Sequence, residues 1–181
     1  TEIQKDIQKE IDLMIENILI RPNVKRLKFE SSSNNYENTL NNEFVEERIL
    51  DNLNRAVNQF MTNNKDSYFI GEDIMDPYGG AFKVAKGLST NFPDRTISTP
   101  ISELGLAGVG NGLALCQNKV LVEFMFADFT FLAFDQIINF AAKTRTMYGK
   151  LLDHTIIFRC PVGGYRGYGP THSQSIQKFF I

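Results

Sequence analysis

Apolar residues recur every three or four positions near the start of the chain. Within residues 2–19 they are Ile3, Ile7, Ile11, Met14, Ile15 and Ile18. Charged residues lie between them, so the segment is predicted to form an amphipathic helix. An Arg-Pro-Asn turn at 21–23 ends this helix, and residues 24–29 could form a short strand. Residues 30–43 are polar and rich in Asn and Ser, which is typical of a mobile linker, so we expect residues 1–43 to form an N-terminal arm.

From Phe44 onward the pattern becomes regular, and helical periods alternate with short apolar runs. A period of four residues predicts a helix that ends at the Asn63-Asn64 turn. Further helices are predicted over residues 81–92, 102–116 and 130–149, with a final short helix from Ser173. The apolar runs between the helices predict strands over residues 67–74, 96–100, 119–126 and 154–161.

Each predicted strand is a continuous apolar run rather than an alternation of apolar and polar residues. Such strands are typical of a parallel sheet that is covered by helices on both faces. With right-handed crossovers, the pattern predicts an α/β domain with a doubly wound, mostly parallel sheet over residues 44–181. Ligands of such sheets bind beyond the carboxyl ends of the strands, so a site is expected in the loops that follow the strands.

Composition narrows the class of protein without identifying its function. The chain has 181 residues, 43% hydrophobic and 22% charged, which suits one soluble domain with a small appendage. Its formal charge of −2 argues against bulk binding of nucleic acid. The sequence has no apolar run long enough to span a membrane, and its charged start argues against a secretory signal. We therefore expect a soluble protein of the bacterial cytoplasm or of an organelle matrix.

Cysteine and histidine are both scarce. Cys116 and Cys160 lie in apolar stretches without CxxC spacing, so reduced thiols are expected rather than a disulfide. The two histidines, His154 and His172, are too few for a histidine-based metal cluster. No metal site is predicted in this chain.

Four candidate functional residues lie at the carboxyl ends of the predicted strands or just beyond them. They are Glu72 in GED, Glu103 in TPISE, Phe129 in FADF and His172 in the glycine-rich segment 163–175. Each of these residue types also has an ordinary structural explanation. A Glu at a helix start interacts favourably with the helix dipole, and a Phe after a strand usually packs in the core. A single His is usually solvated or hydrogen-bonded. Their convergence on one edge of one sheet is what favours a functional site.

Common enzyme motifs are missing from the sequence. It contains no GxxxxGK(S/T) loop, no GxSxG elbow and no HExxH pair, and no GxGxxG follows a predicted strand. The glycines of helix 102–116 are instead predicted to be structural. Gly105, Gly108 and Gly112 are spaced three and four residues apart, which gives the helix a smooth face for close packing with a helix of this chain or of a second chain.

Four segments of the sequence resemble a known protein family. They are GEDIMDPYGGAFKVAKGL, STPISELGLAGVGNGLAL, VEFMFADFTFLAFDQIINFAAK and GGYRGYGPTHSQS. In this order they closely resemble the pyrimidine-binding domain in the beta subunit of thiamine-diphosphate-dependent 2-oxoacid dehydrogenases. These enzymes are the first components of the pyruvate, branched-chain 2-oxo acid and acetoin dehydrogenase complexes. The resemblance runs from Phe44 to Ile181 and implies a transketolase-like fold. The second domain of that subunit would begin about where this sequence stops.

The resemblance implies a role for each candidate residue. Glu103 would hydrogen-bond the aminopyrimidine ring of thiamine diphosphate and move a proton to it, which favours the imino form that activates the cofactor. Phe129 would pack against the pyrimidine, with Met125 near the same ring. Glu72 resembles a second acidic residue that is linked to Glu103 through the subunit interface. His172 resembles the histidine that meets the substrate or the lipoyl group as proton donor or orienter.

The resemblance also implies partners. The family holds magnesium and diphosphate with a GDG-to-Asn motif, which is missing here. An alpha subunit is therefore expected to carry that site, beside a second beta subunit and a lipoyl-bearing acyltransferase, with no nucleic acid or membrane partner. The whole enzyme would decarboxylate a 2-oxo acid and acylate lipoyl as a heterotetramer, and the isolated chain is expected to be inactive.

Two departures from the family leave alternatives open. Residues 116–120 read CQNKV where relatives carry a glycine, and residues 1–43 match no part of the beta subunit. The chain could instead be a non-catalytic interaction or regulatory module of the same fold, or a part of another split thiamine-diphosphate enzyme of transketolase type. The set of Glu103, Phe129 and His172 favours the dehydrogenase over the module, and the HSQS motif favours it over the other enzymes. The sequence does not identify the 2-oxo acid.

Overall fold

The chain divides into two compact units, Thr1–Phe44 and Val45–Ile181. A computed structural model describes Lys5, Gln8, Lys9, Asp12 and residues 47–148, 155–165 and 167–180. In the first unit the four described residues are helical and exposed, and Gln8 Nε2 donates a hydrogen bond to Asp12 Oδ1 at 3.0 Å. The rest of the predicted N-terminal arm lies outside the described residues, as does His154.

The second unit alternates helices and strands in the predicted order. Its main elements are α1 (Ile49–Asn63), β1 (Ser67–Glu72), α2 (Leu88–Asn91), β2 (Thr96–Thr99), α3 (Glu103–Leu115), β3 (Lys119–Glu123), α4 (Thr144–Tyr148) and β4 (Thr155–Arg159). Single turns of 3-10 helix cover Pro93–Arg95 and Gln177–Phe179. The predicted helix from Ser173 is thus limited to that last turn.

The four strands form one sheet in the order β2-β1-β3-β4, and every pair is parallel. Gly71 of β1 is level with Ser98 of β2 and with Glu123 of β3, so the strands end at one common edge. The prediction of an α/β fold with a parallel sheet is confirmed. Continuous apolar runs form these strands because the central ones are covered on both faces.

Two apolar clusters, one on each face of the sheet, form the core. The first consists of Val57, Met61, Phe69, Ile74, Val84, Ala85, Leu88 and Leu121. The second consists of Ile70, Leu106, Ala107, Ala114, Val120, Val122, Phe124 and Ala133. Phe69 and Ile70 are neighbours in β1 but belong to different clusters, because successive side chains of a strand point to opposite faces. Helix α1 covers the first face and α3 covers the second, as a doubly wound sheet requires.

The helix predicted over residues 81–92 is wrong for most of its length. Only Leu88–Asn91 is helical, and the preceding residues form turns with left-handed backbone at Lys83 (φ +65°) and Gly87 (φ +86°). The Asp76 carboxylate stabilises this arrangement. It accepts hydrogen bonds from the Gly87 N–H at 2.7 Å, from the Ser89 hydroxyl at 2.8 Å and from both the N–H and the hydroxyl of Thr90. Side-chain bonds to the backbone have thus displaced a regular helix.

The predicted helix 130–149 is helical but irregular. It runs as 3-10 helix over Ala127–Ala133, as π-helix over Asp135–Phe140, as a 3-10 turn over Ala141–Lys143, and then as α4. At the wide π turn, the Asn111 amide of α3 donates a hydrogen bond to the Gln136 carbonyl at 2.9 Å. Side chains that bond to a helix carbonyl from outside are a recognised cause of such irregularity.

The glycine that packs most closely in α3 is not one of the three predicted. A Cβ added at Gly110 would lie 2.6 Å from Val122 Cγ2 of the sheet, so this position has room only for glycine. By contrast, a Cβ at Gly112 would meet nothing within 4 Å, and Gly105 is exposed. Of the three glycines predicted to pack on another helix, Gly108 faces the segment Asp135–Phe140, since a Cβ there would lie 3.7 Å from Gln136 Oε1. Contact of this face with a second chain stays a prediction.

Candidate active site

The predicted site residues all lie at or beyond the carboxyl edge of the sheet. Glu72 is the last residue of β1, and Glu103 is the first residue of α3 after β2. Met125 and Phe129 follow β3, and His172 follows β4. Because parallel strands end at the same edge, residues that are up to 100 positions apart in sequence come to one side of the molecule.

Glu103 is buried at the start of a helix. Ser102 caps α3, and its Oγ accepts a hydrogen bond from the Gly105 N–H at 3.3 Å. Glu103 directly follows this cap and is only 5% exposed. The N-terminal end of a helix carries a partial positive charge, which favours a carboxylate at this position.

Glu72 is buried beside the same helix start. It is 3% exposed, and its Oε1 accepts a hydrogen bond from the Ser102 N–H at 3.0 Å. Its Oε2 is buried and has no hydrogen-bond partner among the described residues. This link between Glu72 and the start of α3 lies within one chain, and the expected connection of Glu72 to Glu103 through a subunit interface stays a prediction.

The electrostatic environment of Glu72 favours its protonated form. Burial raises the pKa of Glu72 above its ordinary value, and the nearby charge of Glu103 raises it further. The hydrogen bond from Ser102 acts in the opposite direction on this pKa, but it is the weaker influence. A protonated carboxyl with a free oxygen can donate a hydrogen bond to a ligand, and a pair of neighbouring acids can share a proton.

Aromatic rings surround His172 on the other half of the edge. The imidazole lies edge-on to Phe126, with ring centres 4.9 Å apart, and edge-on to Phe129 at 5.0 Å. Its Nδ1 is 2.8 Å from the Thr171 hydroxyl, which leaves Nε2 available to a ligand. Phe126 also contacts Phe129 at 6.0 Å. The structure thus brings Phe129 and His172 together.

Phe126 is a residue that sequence reasoning missed. Its ring also meets Phe82 and Tyr168, at 5.5 and 5.8 Å, so it holds together the loops after β1, β3 and β4. The signal that could have found it is the repetition of aromatic residues in these three loops. Met125 lies next to Phe126 and is half-buried. Its position near a cofactor ring stays a prediction.

Backbone contacts hold the segment that carries His172 against the end of β3. The Ala127 N–H donates to the Pro161 carbonyl at 2.9 Å, and the Gly163 N–H donates to the Gln174 carbonyl at 3.4 Å. The carboxylate of Asp128, which is 8% exposed, accepts a hydrogen bond from the Gln174 N–H at 3.2 Å. Asp128 was not predicted, because its partner lies 46 residues away in sequence.

A further buried acid, Glu123, is paired with an arginine. Glu123 ends β3 and is 5% exposed, and Arg159 of β4 donates a hydrogen bond to its Oε2 at 2.6 Å. Burial raises the pKa of Glu123, and the guanidinium of Arg159 opposes that rise. The sequence gives no direct sign of this pair, since it depends on the register of β3 against β4.

Between these elements lies a cleft of about 320 Å³ beside His172. Its walls come from the loops after β1, β3 and β4. In the part of the chain that the structure describes, no group of three or more His, Cys, Asp or Glu side chains could hold a metal ion. No helix among those residues is long and apolar enough to cross a membrane.

Comparison with known proteins identifies the domain. The model of the transketolase pyrimidine-binding domain family matches residues 49–179, which is most of the chain. This range contains Glu72, Glu103, the aromatic rings of the site and His172.

Individual relatives agree with this match. The chain is 37% identical over 133 residues to the human mitochondrial pyruvate dehydrogenase E1 component subunit beta, covering 73% of this chain and 37% of that protein. It is 39% identical over 133 residues to the beta-1 subunit of the same enzyme from Arabidopsis thaliana, covering 73% of this chain and 36% of the relative. It is 39% identical over 130 residues to the Arabidopsis 2-oxoisovalerate dehydrogenase subunit beta 2, covering 71% and 36%.

The chain therefore spans just over a third of the length of these relatives. Both the family model and the relatives match the part that carries the site. The chain belongs to the transketolase pyrimidine-binding domain family, as a domain of the kind found in the beta subunits of 2-oxoacid dehydrogenases.

Proposed function

We propose that this chain supplies the pyrimidine-binding half of the active site of a thiamine-diphosphate-dependent 2-oxoacid dehydrogenase. The observation that carries the proposal is the meeting of two buried acids, Glu72 and Glu103, at the start of α3. A buried carboxyl oxygen without a protein partner is costly unless a ligand uses it. Relatives named as pyruvate and 2-oxoisovalerate dehydrogenase beta subunits supply the reaction class.

The residues present fit the pyrimidine end of thiamine diphosphate. An aminopyrimidine ring needs a carboxyl group to hydrogen-bond its nitrogens and an apolar surface against its face. Glu103 and Glu72 provide the carboxyl groups, and the half-buried ring of Phe129 provides the surface. Met125 follows the same strand and is proposed to lie near the same ring. When bound, thiamine diphosphate supplies a carbon nucleophile for the 2-oxo group.

Each residue then has a role in the proposed reaction. Glu103 exchanges a proton with the pyrimidine nitrogen. Glu72 is a positioning residue, because it fixes the Ser102 backbone at the start of α3 and its raised pKa lets it hold a proton beside Glu103. His172 lines the cleft, and its Nδ1 is bonded to the Thr171 hydroxyl, so its Nε2 is the nitrogen proposed to donate or accept a proton at the substrate or at the acyl-accepting lipoyl group.

The proposed enzyme needs further chains. An alpha subunit would carry the magnesium and diphosphate site, since this sequence has no GDG motif. A second beta subunit would complete the tetramer, and a lipoyl-bearing acyltransferase would accept the acyl group. We place the complex in an organelle matrix, because the pyruvate dehydrogenase relatives from human and Arabidopsis are named as mitochondrial. The isolated chain is proposed to be inactive.

Calorimetric titration with thiamine diphosphate and magnesium tests the proposal. The chain is titrated alone and after assembly with a candidate alpha subunit, and binding is expected only to the assembly. Glu103→Gln is expected to weaken binding to the assembly, because a neutral amide forms a weaker hydrogen bond to the ring nitrogen than a carboxyl group does. Glu47→Gln serves as the matched control, since Glu47 pairs with Arg55 away from the sheet edge. An assembly that forms but never binds the cofactor would favour a non-catalytic module instead.

A second experiment separates the role of His172 from cofactor binding. In His172→Ala, we expect the assembled complex to bind thiamine diphosphate normally and to lose about 10²–10⁴-fold in the rate of lipoyl acylation. Folding is checked by circular dichroism. Acylation at the original rate would remove His172 from the mechanism without affecting the proposed role of Glu103.

A further inference from the structure

Two buried oxygens at the ends of β1 and β2 lack hydrogen-bond partners. Glu72 Oε2 and Thr99 Oγ1 are both buried, and neither forms a hydrogen bond with any described residue. The two residues are level with each other, since Glu72 of β1 pairs with Thr99 of β2 in the parallel register. Neighbouring strands lie about 4.8 Å apart, so the two side chains leave the backbone close together.

Both side chains lie on the face of the sheet that α3 covers. Two residues earlier in each strand, Ile70 is level with Ile97, and both belong to the apolar packing beneath α3. Side chains of a strand repeat their direction every second residue, so Glu72 and Thr99 follow these isoleucines on the same face. The hydrogen bond from the Ser102 N–H to Glu72 agrees with this placement, because Ser102 caps α3.

The nearest backbone donors do not serve the Thr99 hydroxyl. A threonine just before a helix often accepts a hydrogen bond from a backbone N–H a few residues later in the chain. Pro100 has no N–H, and the Ser102 N–H is donated to Glu72 Oε1. The Gly105 N–H is donated to Ser102 Oγ. A buried hydroxyl without a hydrogen bond is costly, so Thr99 needs a partner other than the protein backbone.

We propose that Glu72 Oε2 and Thr99 Oγ1 bind one water molecule between them, and that Thr99 positions the carboxyl group of Glu72 through this water. No direct hydrogen bond joins the two oxygens, and a water can bridge polar groups that are too far apart for a direct bond. A buried water needs two or more polar partners, which these two side chains supply. A carboxyl oxygen accepts more than one hydrogen bond, so Oε2 stays available to the pyrimidine ring.

The water affects both the orientation and the protonation of Glu72. Ser102 fixes one carboxyl oxygen and the water fixes the other, so the group has a single orientation. Burial and the neighbouring charges of Glu103 and Asp73 raise the pKa of Glu72. Hydrogen bonds to a charged group are stronger than those to a neutral one, so the water opposes this rise. Its significance for the reaction rests on the proposed function, in which Glu72 holds a proton beside Glu103.

NMR titration of the cofactor-free chain tests the link between Thr99 and Glu72. With ¹³C-labelled glutamate, the pKa of the Glu72 carboxyl is followed directly, and Glu72→Gln assigns its signal. Thr99→Val removes the hydroxyl at nearly constant volume and should raise this pKa further, whereas Thr99→Ser keeps the hydroxyl and should restore the original value. Circular dichroism shows whether each variant folds.

Thr96→Val is the matched control. Thr96 is also in β2, and its buried hydroxyl has no partner among the described residues. It is level with Phe69 of the first apolar cluster, so it lies on the opposite face from Glu72. Thr96→Val should leave the pKa of Glu72 unchanged. An equal rise of this pKa in Thr96→Val and Thr99→Val would overturn the inference, because the effect would then not depend on the proposed water.

A crystal structure of the chain tests the water itself. One water within about 3.2 Å of both Glu72 Oε2 and Thr99 Oγ1 is expected, and it should be missing from Thr99→Val. A direct hydrogen bond between the two side chains, or a site without this water, would overturn the inference.

Titration of thiamine diphosphate and magnesium into the assembly with an alpha subunit tests the role in the reaction. Thr99→Val should weaken cofactor binding about five- to tenfold, and Thr99→Ser should recover most of the affinity. Unchanged affinity and an unchanged pKa of Glu72 in Thr99→Val would overturn this inference and leave the proposed function standing. If the assembly of the original chain never binds the cofactor, the proposed function fails, while the NMR and crystallographic results still decide whether the water site exists.

Discussion

The two halves of the carboxyl edge bury their acids in different ways. One half, which we call the acidic half, contains Glu72 at the end of β1 and Glu103 at the start of α3. Neither acid forms a salt bridge with any described residue. In the paired half, Glu123 of β3 is held by Arg159 of β4. Glu72 and Glu123 also point to opposite faces of the sheet. Glu123 is level with Gly71, and the side chain of the next residue, Glu72, points to the other face.

This difference separates acids that support the fold from acids that are available to a ligand. A buried carboxylate beside a guanidinium has its charge compensated within the protein. A buried carboxyl group with a free oxygen keeps a hydrogen-bonding capacity that the protein itself does not use. Burial is almost the same in the two halves, so burial alone does not distinguish a structural acid from a functional one.

Breaking the pair in the paired half should have the largest effect on stability. Arg159→Met leaves the Glu123 carboxylate buried without a cation, and we expect the free energy of unfolding to fall by about 3–5 kcal/mol near neutral pH. Chemical denaturation measures this loss. The matched control is Arg55→Met, which breaks the exposed pair with Glu47 and should cost about 1 kcal/mol or less. Equal effects of the two substitutions would show that Glu123 is not buried as described.

A smaller loss is expected at Asp76, a compensated acid in the loop that follows β1. Its hydrogen bonds lower its pKa to about 2. A lowered pKa stabilises the fold above the ordinary pKa of Asp, and this contribution is lost as the pH falls from about 4 toward 2. Asp76→Ala should therefore reduce the free energy of unfolding by about 2 kcal/mol at neutral pH and by much less at about pH 2. Thermal unfolding across this pH range, with exposed Asp94→Ala as control, measures the difference.

The smallest effect, and one of opposite sign, is expected in the acidic half. The pKa of Glu72 is raised, so the folded protein binds this proton more tightly than the unfolded chain does. Stability from this group is then present at low pH and falls as the pH rises from about 4.5 through the raised value. Glu72→Gln keeps an acceptor for the Ser102 N–H and removes the charge, so it should stabilise the fold on the order of 1 kcal/mol at about pH 8.

Thermal unfolding at about pH 4 and pH 8 measures this change. The advantage of Glu72→Gln should disappear at the lower pH, where Glu72 is itself protonated. A variant that is less stable than the original protein at the higher pH would show that the Glu72 carboxylate is compensated after all. The contrast between the two halves of the edge would then be lost.

The sequence predicted the parts of the molecule that depend on local pattern. Four continuous apolar runs became four parallel strands, and Glu72, Glu103 and His172 were correctly placed at or beyond the carboxyl ends of strands at one edge. Contacts across the sheet could not be predicted in this way. The Glu123–Arg159 pair and the Asp128–Gln174 bond each depend on register or loop closure between segments 36 and 46 residues apart.

The errors have physical causes as well. Residues 81–92 have helical composition, but the Asp76 carboxylate bonds the backbone of Gly87 and Thr90 and confines the helix to its last turn. In α3, spacing pointed to Gly105, Gly108 and Gly112. The close contact of α3 with the sheet is at Gly110 and was not predicted, because glycine spacing does not determine the angle at which a helix crosses a sheet. The contacts of Phe126 with Phe82, Tyr168 and His172 form between different loops of the folded chain, so the sequence did not predict them.

The strand order β2-β1-β3-β4 also fixes when each half of the edge can form during synthesis. Residues leave the ribosome in order, and a growing chain folds as its elements emerge. The pairing of β1 with β2 and the bond from Ser102 to Glu72 need nothing beyond α3. The ring contacts of His172 require β3, β4 and the loop that follows β4. The acidic half can therefore be complete while β1 still has one open edge, and that edge closes only after Lys119–Glu123 has been made.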